Sequence, residues 1–396
     1  MRADSLPSRE FFSVAACCAR PLSQSRILAI RNAAAEKIDW EKFLRLSGLH
    51  RVEGLIDEAL NATRLEVPSK VAAELRKRTT ELVRENLELT AEAVRLQRAF
   101  ASNGIDVRFL KGITLAVLAY GNIGVRHGKD IDLLIEPSQA NEAVRLLERC
   151  GYRRHDPPPE LDDSVMQSLR PIRKDASFFH ENRPFEVELH WRLLDNRHMM
   201  GAISPATPSQ SVAVGSGFSL TTLGEKDLFA YLCAHGANHC WYRLKWLADI
   251  AALLGSADAR KIEELFDGAV ERGAGPAAAQ ALLLSVRLFA LPLPDSLLQR
   301  LTRSVRARWL ERIGIWALTT GNEETVPTDL PFGATKITLS RYLLRSGVRY
   351  WLTELRIQFT STRDMLMLPL PKPFLFLYPA LHVPLWLCRR MMGRAH

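Results

Sequence analysis

The sequence lacks features that mark several protein classes. Its six cysteines include no Cys-x-x-Cys pair, which favours reduced thiols in a cytoplasmic protein. The N-terminus offers no convincing signal peptide, because the apolar run at 11–19 is short and follows Arg9-Glu10. The apolar stretch 365–388 contains five prolines, which argue against a simple membrane-spanning helix. No internal repeat is evident. We therefore expect a cytoplasmic protein without a repeat architecture.

The composition is that of an ordinary globular protein. The chain has 396 residues, enough for two or three domains, and is 47% hydrophobic and 24% charged. Its 53 lysines and arginines exceed its 44 acidic residues. This balance favours anionic partners such as nucleotides, nucleic acid or an acidic membrane surface, without choosing among them.

A pair of aspartates stands at the start of a predicted strand. Residues 129–135 alternate between polar and apolar and then become fully apolar, as a strand that enters a sheet does. Residues two apart share a face of a strand, so Asp130 and Asp132 project together. Two adjacent carboxylates repel each other and are costly to bury. The pair is better suited to a divalent cation that neutralises both charges.

A second predicted strand, at 184–191, offers a third acid. Glu186, Glu188 and His190 share one of its faces. If this strand lies beside the first, Glu188 comes close to the aspartate pair, with Glu186 as a rival of the same parity. Three carboxylates on adjacent strands can hold two Mg²⁺ ions that stabilise a transferring phosphoryl group.

An ordered set of motifs resembles an uncharacterised bacterial family of the polymerase-beta-like nucleotidyltransferase superfamily. The resemblance covers roughly residues 40–255 and continues weakly to the C-terminus. The superfamily shares a glycine turn, an Asp-x-Asp strand and a third carboxylate on a later strand. Ile113 stands here where a serine usually follows the glycine. The motifs are Leu110-Lys-Gly112, Arg126, Asp130-Ile-Asp-Leu-Leu134 and Glu188-Leu-His-Trp191.

The resemblance implies Mg²⁺-dependent transfer of a nucleoside monophosphate from an NTP such as ATP. The acceptor is unknown and is a small molecule, sugar, peptide or protein, with nucleic acid less favoured. Two Mg²⁺ ions would be held by Asp130, Asp132 and Glu188, and Glu188 would also orient or deprotonate the acceptor hydroxyl. The triphosphate would be bound by Lys111, Gly112 and Arg126. Glycine at that turn lets backbone N–H groups approach a phosphate, and a predicted helix follows it.

The predicted fold is α+β, with a small mixed nucleotidyltransferase-type sheet flanked by helices and a larger all-helical C-terminal region. Heptad-spaced leucines at 75, 82, 89 and 96 indicate a long helix, either a core helix or a dimerising coiled coil. Residues 201–217 are predicted to be a linker. We divide the chain into a helical cap at 1–66 with a partly disordered start, a nucleotidyltransferase core at 67–222, a helical domain at 223–335, and a basic and apolar tail at 336–396.

Two further patterns leave alternatives open. His235 and His239 share a helix face, which suits a core or substrate-facing pair better than a zinc site, because further ligands at suitable spacing are needed. Arginines at 341, 345 and 349 predict a cationic strip on one helix face of the tail. The tail either packs on the helical domain or makes peripheral contact with the inner face of a membrane. Arg243, Lys245 and Asp249 resemble a second block of the family, expected to frame the acceptor or nucleobase.

Two other functional classes are compatible with the sequence. The first is a nucleotide-binding regulatory protein without turnover. The second is a membrane-surface scaffold in envelope or polysaccharide assembly, in which the acids are purely structural.

Overall fold

The computed structural model describes residues 7–34, 38–161, 163–201, 204, 207–320, 327 and 333–392. The fold is α+β, as predicted. The chain forms two compact units, each assembled from separate stretches. The helical unit comprises 1–98, 108–129 and 208–345, and the sheet unit comprises 99–107, 130–207 and 346–396.

Helices are the main elements of the chain. The strands are β1 (Arg108–Phe109), β2 (Asp130–Leu134), β3 (Arg153–Asp156), β4 (Asp175–His180), β5 (Arg183–His190), β6 (Ser209–Gly215) and β7 (Phe218–Leu223). The α-helices are α1 (Arg9–Cys18), α2 (Gln24–Ala34), α3 (Trp40–His50), α4 (Glu53–Thr63), α5 (Ser69–Ser102), α6 (Ile113–Tyr120), α7 (Ala140–Arg149), α8 (Asp163–Leu169), α9 (Glu225–Asn238), α10 (Leu244–Leu254), α11 (Ala259–Glu271), α12 (Gly275–Phe289), α13 (Asp295–Arg303), α14 (Val305–Thr320), α15 (Gly333–Tyr342), α16 (Val348–Gln358), α17 (Thr362–Met367) and α18 (Tyr378–Met392). Two 3₁₀ helices span Pro137–Gln139 and Lys372–Leu377.

The N-terminal part of the helical unit is more ordered than the sequence indicated. Residues 1–35 were expected to be partly disordered, but 7–34 contain α1 and α2, while residues 1–6 and 35 lie outside the described part. The Ser8 side chain caps α1 by accepting a hydrogen bond from the N–H of Phe11. Phe11 and Val14 are both buried, one turn apart. A short apolar stripe was enough to dock this helix.

The long helix α5 buries its heptad seam. All four leucines of the seam are buried, as the core-helix interpretation predicts. The polar seam residue Asn86 is buried as well, and its Nδ2 donates hydrogen bonds to the carbonyls of Ile123 and Arg126 at 2.6 and 2.9 Å. Asn86 therefore ties α5 to the loop that carries Arg126.

The linker expected at 201–217 is partly wrong. Residues 209–215 form β6, which pairs antiparallel with β7. Val212 and Leu220 are register partners and both are buried. Gly217 has a φ of +79°, which a glycine turn adopts without strain. The glycines and serines at 209–217 therefore belong to a hairpin.

The sheet unit is built on the strand order β2-β5-β4-β3. The central strands β2 and β5 are parallel, with Asp130 opposite Glu186 and Asp132 opposite Glu188. Strands β4 and β5 form the antiparallel hairpin predicted from their alternation. The other face of β2 and β5 carries Ile131 and Val187, which are buried. One face of the sheet is thus apolar and the opposite face bears the acids.

The predicted cationic strip in the tail is wrong. Helix α15 ends at Tyr342 and α16 begins at Val348, and Gly347 between them has a φ of +123°. Arg341 and Arg349 therefore lie on different helices. Helix α16 is tied to the loop after β5, because the Asn196 side chain donates hydrogen bonds to the Tyr350 carbonyl and to the Glu354 carboxylate at 3.1 and 3.0 Å. Among the described residues, no helix has the length and apolarity to cross a bilayer.

Candidate functional site

The acids of the sheet unit meet because β2 and β5 run parallel in a register that makes Asp132 and Glu188 neighbours. Both residues occupy the polar face of the sheet. His190 follows Glu188 by two residues and so projects from that same face. It is fully buried, and Asp132 is only 3% exposed. The strand pairing alone therefore concentrates charge in a place that excludes most water.

His190 lies at the centre of the cluster. Its Nε2 is 3.3 Å from Asp132 Oδ1, 3.2 Å from Glu188 Oε2 and 3.8 Å from Asp175 Oδ2. Asp175 reaches it because β4 pairs Asp175 opposite His190. The side chain of Glu188 is 24% exposed, so it forms the solvent side of the cluster. This is a compact, mostly buried constellation with one accessible carboxylate.

The cluster is electrostatically coupled. Burial and the charge of Lys174 both act to lower the pKa of His190, but the hydrogen bonds that its ring N–H donates to the Asp132 and Glu188 carboxylates, together with the charge of Asp175, outweigh them and raise it. Burial alone would raise the pKa of Asp175, yet Lys174 and the other neighbouring cations lower it. Lys174 contacts the Asp175 carboxylate and lies 3.9 Å from Glu188 Oε2. The Asp175 carboxylate is thus favoured in its charged form.

The donor set suits a divalent cation. Asp132, Glu188 and His190 each offer one ligand atom, and these atoms lie within 4.8 Å of one another. Carboxylate oxygens suit Mg²⁺ and Mn²⁺, and an imidazole nitrogen also suits Mn²⁺ and Zn²⁺. Among the described residues this is the group of at least three acids, histidines or cysteines that could hold a metal. The residues present fit a divalent cation, and Asp130 of the predicted ligand set is not among them.

The structure distinguishes two of the candidate acids from the other two. Asp132 and Glu188 are brought together, whereas Asp130 is partly exposed and lies opposite Glu186, outside the cluster. Glu186, the rival of Glu188, has its carboxylate 2.8 Å from His155 Nε2, near the surface. This contact gives Glu186 a local partner and favours Glu188 as the third acid.

A pocket of about 440 Å³ adjoins the cluster within the sheet unit. Glu188, Lys174 and Asp175 line it on the side of the cluster. The turn between α16 and α17, at 360–362, lines it with three hydroxyl-bearing residues. This volume lies within the range of small-molecule sites. A ligand in the pocket would be beside the exposed carboxylate of the cluster.

The helical unit contains the glycine turn that was predicted to bind phosphate. Gly112 has a φ of +65° and precedes the first residue of α6, so the expected glycine turn before a helix N-terminus is present. The carbonyl of Lys111 accepts a hydrogen bond from the Thr114 hydroxyl at 3.1 Å, within the first turn of α6. The Arg126 guanidinium donates to the Gly112 carbonyl at 3.4 Å. Arg126 therefore supports the turn directly.

Arg126 has a buried partner that the sequence did not reveal. The Arg126 Nε is 2.9 and 3.1 Å from the two carboxylate oxygens of Asp249, and the Arg126 Nη2 is 3.0 Å from Asp249 Oδ2. Only 5% of the Arg126 side chain and 2% of the Asp249 side chain are exposed. The Tyr120 hydroxyl donates a further hydrogen bond to Asp249 at 3.0 Å. Helix α10 thereby fixes the arginine that holds the Gly112 turn.

His235 of α9 and His239, which caps the C-terminus of that helix, belong to an aromatic cluster. The rings of His235 and His239 are 4.8 Å apart, and each packs against Trp246 at 5.4 and 5.3 Å. Trp246 follows Lys245, whose Nζ donates to the His127 carbonyl at 3.2 Å. Arg243, the remaining residue of that second block, lies over the Tyr242 ring at 5.2 Å. These contacts account for the clustering of ring residues along α9 and α10.

Sequence reasoning did not assign His190, Lys174 or Asp175 to the site. The signal for His190 was present, since it shares the strand parity of Glu188. Lys174 and Asp175 precede an apolar run and carry no motif of their own. Only the antiparallel pairing of β4 with β5 places them beside His190.

Comparison with known proteins identifies the family. No curated protein matches the chain at a significant level. A family model described as "Uncharacterised nucleotidyltransferase" matches residues 36–290. The match covers more than half of the chain and includes the glycine turn, the aspartate strand and Glu188. The chain therefore belongs to this nucleotidyltransferase family, as its motifs predicted.

Proposed function

We propose that the protein transfers a nucleoside monophosphate from an NTP, such as ATP, to an acceptor hydroxyl with the help of Mg²⁺. The observation that carries this proposal is the buried cluster of Asp132, Glu188 and His190 on adjacent parallel strands. Family membership supports nucleotidyl transfer as the reaction class. A purely structural role would leave the burial of this many charges at one strand pair unexplained.

The chemistry divides the roles among the residues. Mg²⁺ bound here would neutralise charge on the phosphates. Asp132 and Glu188 would hold the ion, and Asp130, on the same strand face as Asp132, would be a ligand of a second one. The acceptor oxygen forms a bond to the α-phosphorus, the bond to the β-phosphate oxygen breaks, and pyrophosphate leaves. Glu188, the exposed member, orients the hydroxyl and takes its proton.

The glycine turn is assigned to phosphate binding. Gly112 presents backbone N–H groups at the start of α6, and Lys111 supplies a positive charge beside it. Arg126 was predicted to bind the triphosphate, and that role stays a prediction. Its contacts with Asp249 and with the Gly112 carbonyl support a positioning role, in which it holds the turn in shape.

The pocket beside Glu188 supports a polar acceptor. Four carboxylates and two basic side chains line it, together with four hydroxyl-bearing residues. The excess of negative charge disfavours a nucleic-acid acceptor, whose phosphates would be repelled. A small molecule, a sugar, or a peptide or protein side chain that is neutral or positively charged fits this lining. We place the protein in the cytoplasm, with peripheral contact between the 336–396 tail and the inner face of a membrane.

Transfer of label from α-³²P-labelled NTPs tests the proposal even though the acceptor is unidentified. The purified protein is incubated with each NTP, Mg²⁺ or Mn²⁺, and a cell extract as the source of acceptors. We expect labelled product with the wild type, and a loss of about 1000-fold with Asp132→Asn or Glu188→Gln, since a bound ion contributes several kcal/mol. Asp130→Asn should also lose activity.

Glu186→Gln is the matched control, because it makes the same change two residues away on the same strand. It should retain transfer. Loss in this variant but not in Glu188→Gln would assign the ligand role to Glu186. Metal-dependent NTP binding with no transfer to any extract would instead support the regulatory protein. Binding to vesicles with no affinity for nucleotides would support the scaffold.

A further inference from the structure

Helix α16 exposes its apolar face to solvent, whereas a helix at the surface of a soluble protein usually buries that face against the core. Val348, Trp351, Leu352 and Leu355 are spaced as one helix face, and all four are exposed, Val348 to 66% and Leu352 to 60%. The face that packs against the protein contains Tyr350 and Glu354, which are both buried. An ordinary amphipathic helix would turn this apolar stripe inward. The stripe therefore leaves a continuous apolar surface accessible to solvent.

The rest of the C-terminal segment repeats this arrangement. Helix α18 exposes Val383, Trp386, Leu387 and Met391, again one helix face. The intervening 3₁₀ helix exposes Phe376 to 67%. Within 346–392, thirteen large apolar side chains are more than a third exposed. Isolated exposed leucines are normal on a protein surface, but a concentration of this kind marks an interaction site. We call these side chains the tail face.

The charges around the tail face are of one sign. Residues 346–396 contain only two acids, Glu354 and Asp364, and both are buried. Glu354 accepts a hydrogen bond from Asn196, and Asp364 contacts His382 and Arg389. The exposed charges of the described segment are those of Arg349, Arg356, Arg363 and Arg390.

We propose that the tail face docks onto an anionic lipid bilayer, with its aromatic and aliphatic side chains in the interface and its arginines on lipid phosphates and carboxylates. Tryptophan, leucine and phenylalanine beside arginine are typical of segments that lie in the bilayer interface. A second copy of the chain fits less well, because a two-fold contact would place arginines against arginines without exposed acids between them. This inference deepens the proposed peripheral contact and is independent of nucleotidyl transfer.

Vesicle flotation tests the proposal with the full-length protein. Vesicles of phosphatidylcholine are compared with vesicles that contain about one third phosphatidylglycerol, a fraction chosen to give a strongly negative surface. We expect binding to the anionic vesicles that weakens with salt, and little binding to the neutral ones. Arg349→Gln and Arg356→Gln should each weaken binding about fivefold at low salt.

A matched pair of tryptophan substitutions tests the face itself. Trp351→Ser lies on the tail face, and Trp309→Ser removes an exposed tryptophan of the helical unit. Trp351→Ser should weaken vesicle binding at least about tenfold, because a large apolar side chain is removed from the bilayer interface. Trp309→Ser should leave vesicle binding unchanged. Both should keep the wild-type circular dichroism spectrum.

Three outcomes overturn the proposal. The first is no binding to anionic vesicles at low salt, and the second is equal weakening by both tryptophan variants. The third is a dimer in solution that Trp351→Ser dissociates while vesicles have no effect, which would assign the tail face to a second copy. None of these readouts measures transfer, so the outcome here and the outcome for nucleotidyl transfer stay separate.

Discussion

Replacing Asp249 with asparagine is expected to be among the most damaging single changes in the helical unit. Its carboxylate makes three contacts of 2.9 to 3.1 Å with the Arg126 guanidinium, and both side chains are almost fully buried. The attraction of unit charges about 3 Å apart is about 5 kcal/mol at an effective dielectric constant of 20. Removing one partner of such a pair leaves a buried charge without its counterion, which costs about 3–5 kcal/mol. We expect Asp249→Asn to lower the free energy of unfolding by that amount.

The assay is urea unfolding followed by tryptophan fluorescence at pH 7, with Arg126→Met, Asp249→Leu and the double variant measured alongside. The double variant should recover most of the stability that each single variant loses, because an apolar pair of similar volume removes both charges. Single-variant losses below about 1 kcal/mol, or additive losses in the double variant, would show that the Arg126 and Asp249 charges do not stabilise each other in the folded protein. In the double variant, NTP binding should still be weaker than in the wild type, since the Gly112 carbonyl has lost its donor.

The remaining predictions concern other buried groups of the helical unit. Burial, reinforced by the charge of Arg243, lowers the pKa of His50 from 6.5 to about 3. Below pH 6.5 His50 binds a proton in the unfolded chain but not in the folded one, which favours unfolding. His50 therefore leaves the free energy of unfolding undiminished above that pH and should reduce it by about 2 kcal/mol between pH 7 and pH 5. His50→Gln should flatten that part of the pH–stability curve measured by urea unfolding. Asn86→Ala should lower the unfolding free energy by about 1–3 kcal/mol, because one buried and one partly buried carbonyl lose their donor. Gly236→Ala should lower the thermal midpoint, since an added Cβ would lie 2.3 Å from the Trp241 ring; an unchanged midpoint would show that the ring can move aside.

The acidic strands could be predicted because their signal is local. Alternation along β2 and β5 places Asp132 and Glu188 on one face of each strand, whatever the rest of the chain does. The register that makes them neighbours depends on the parallel pairing of two strands about fifty residues apart, which alternation does not encode. The motif resemblance supplied that missing step.

Other features were missed because their causes are tertiary. The partner of Arg126 is Asp249, 123 residues later, and nothing near either residue indicates the ion pair. The prediction of an arginine strip in the tail was wrong because it extended a four-residue spacing across Gly347, where the backbone leaves the helical region. The hairpin at 209–223 was hidden by serines and glycines that are equally typical of linkers. In each case the local pattern was compatible with two structures.

Binding of Mn²⁺, followed by electron paramagnetic resonance of the free ion, tests whether Asp132 and Glu188 hold a metal ion, and it needs no acceptor. The titration is done with and without a non-hydrolysable NTP, using the wild type, Asp132→Asn, Glu188→Gln and Glu186→Gln. We expect Mn²⁺ binding by the wild type and by Glu186→Gln, strengthened by the NTP, and a loss of at least about tenfold in affinity for the other two variants. Unchanged Mn²⁺ affinity in both Asp132→Asn and Glu188→Gln would contradict this expectation.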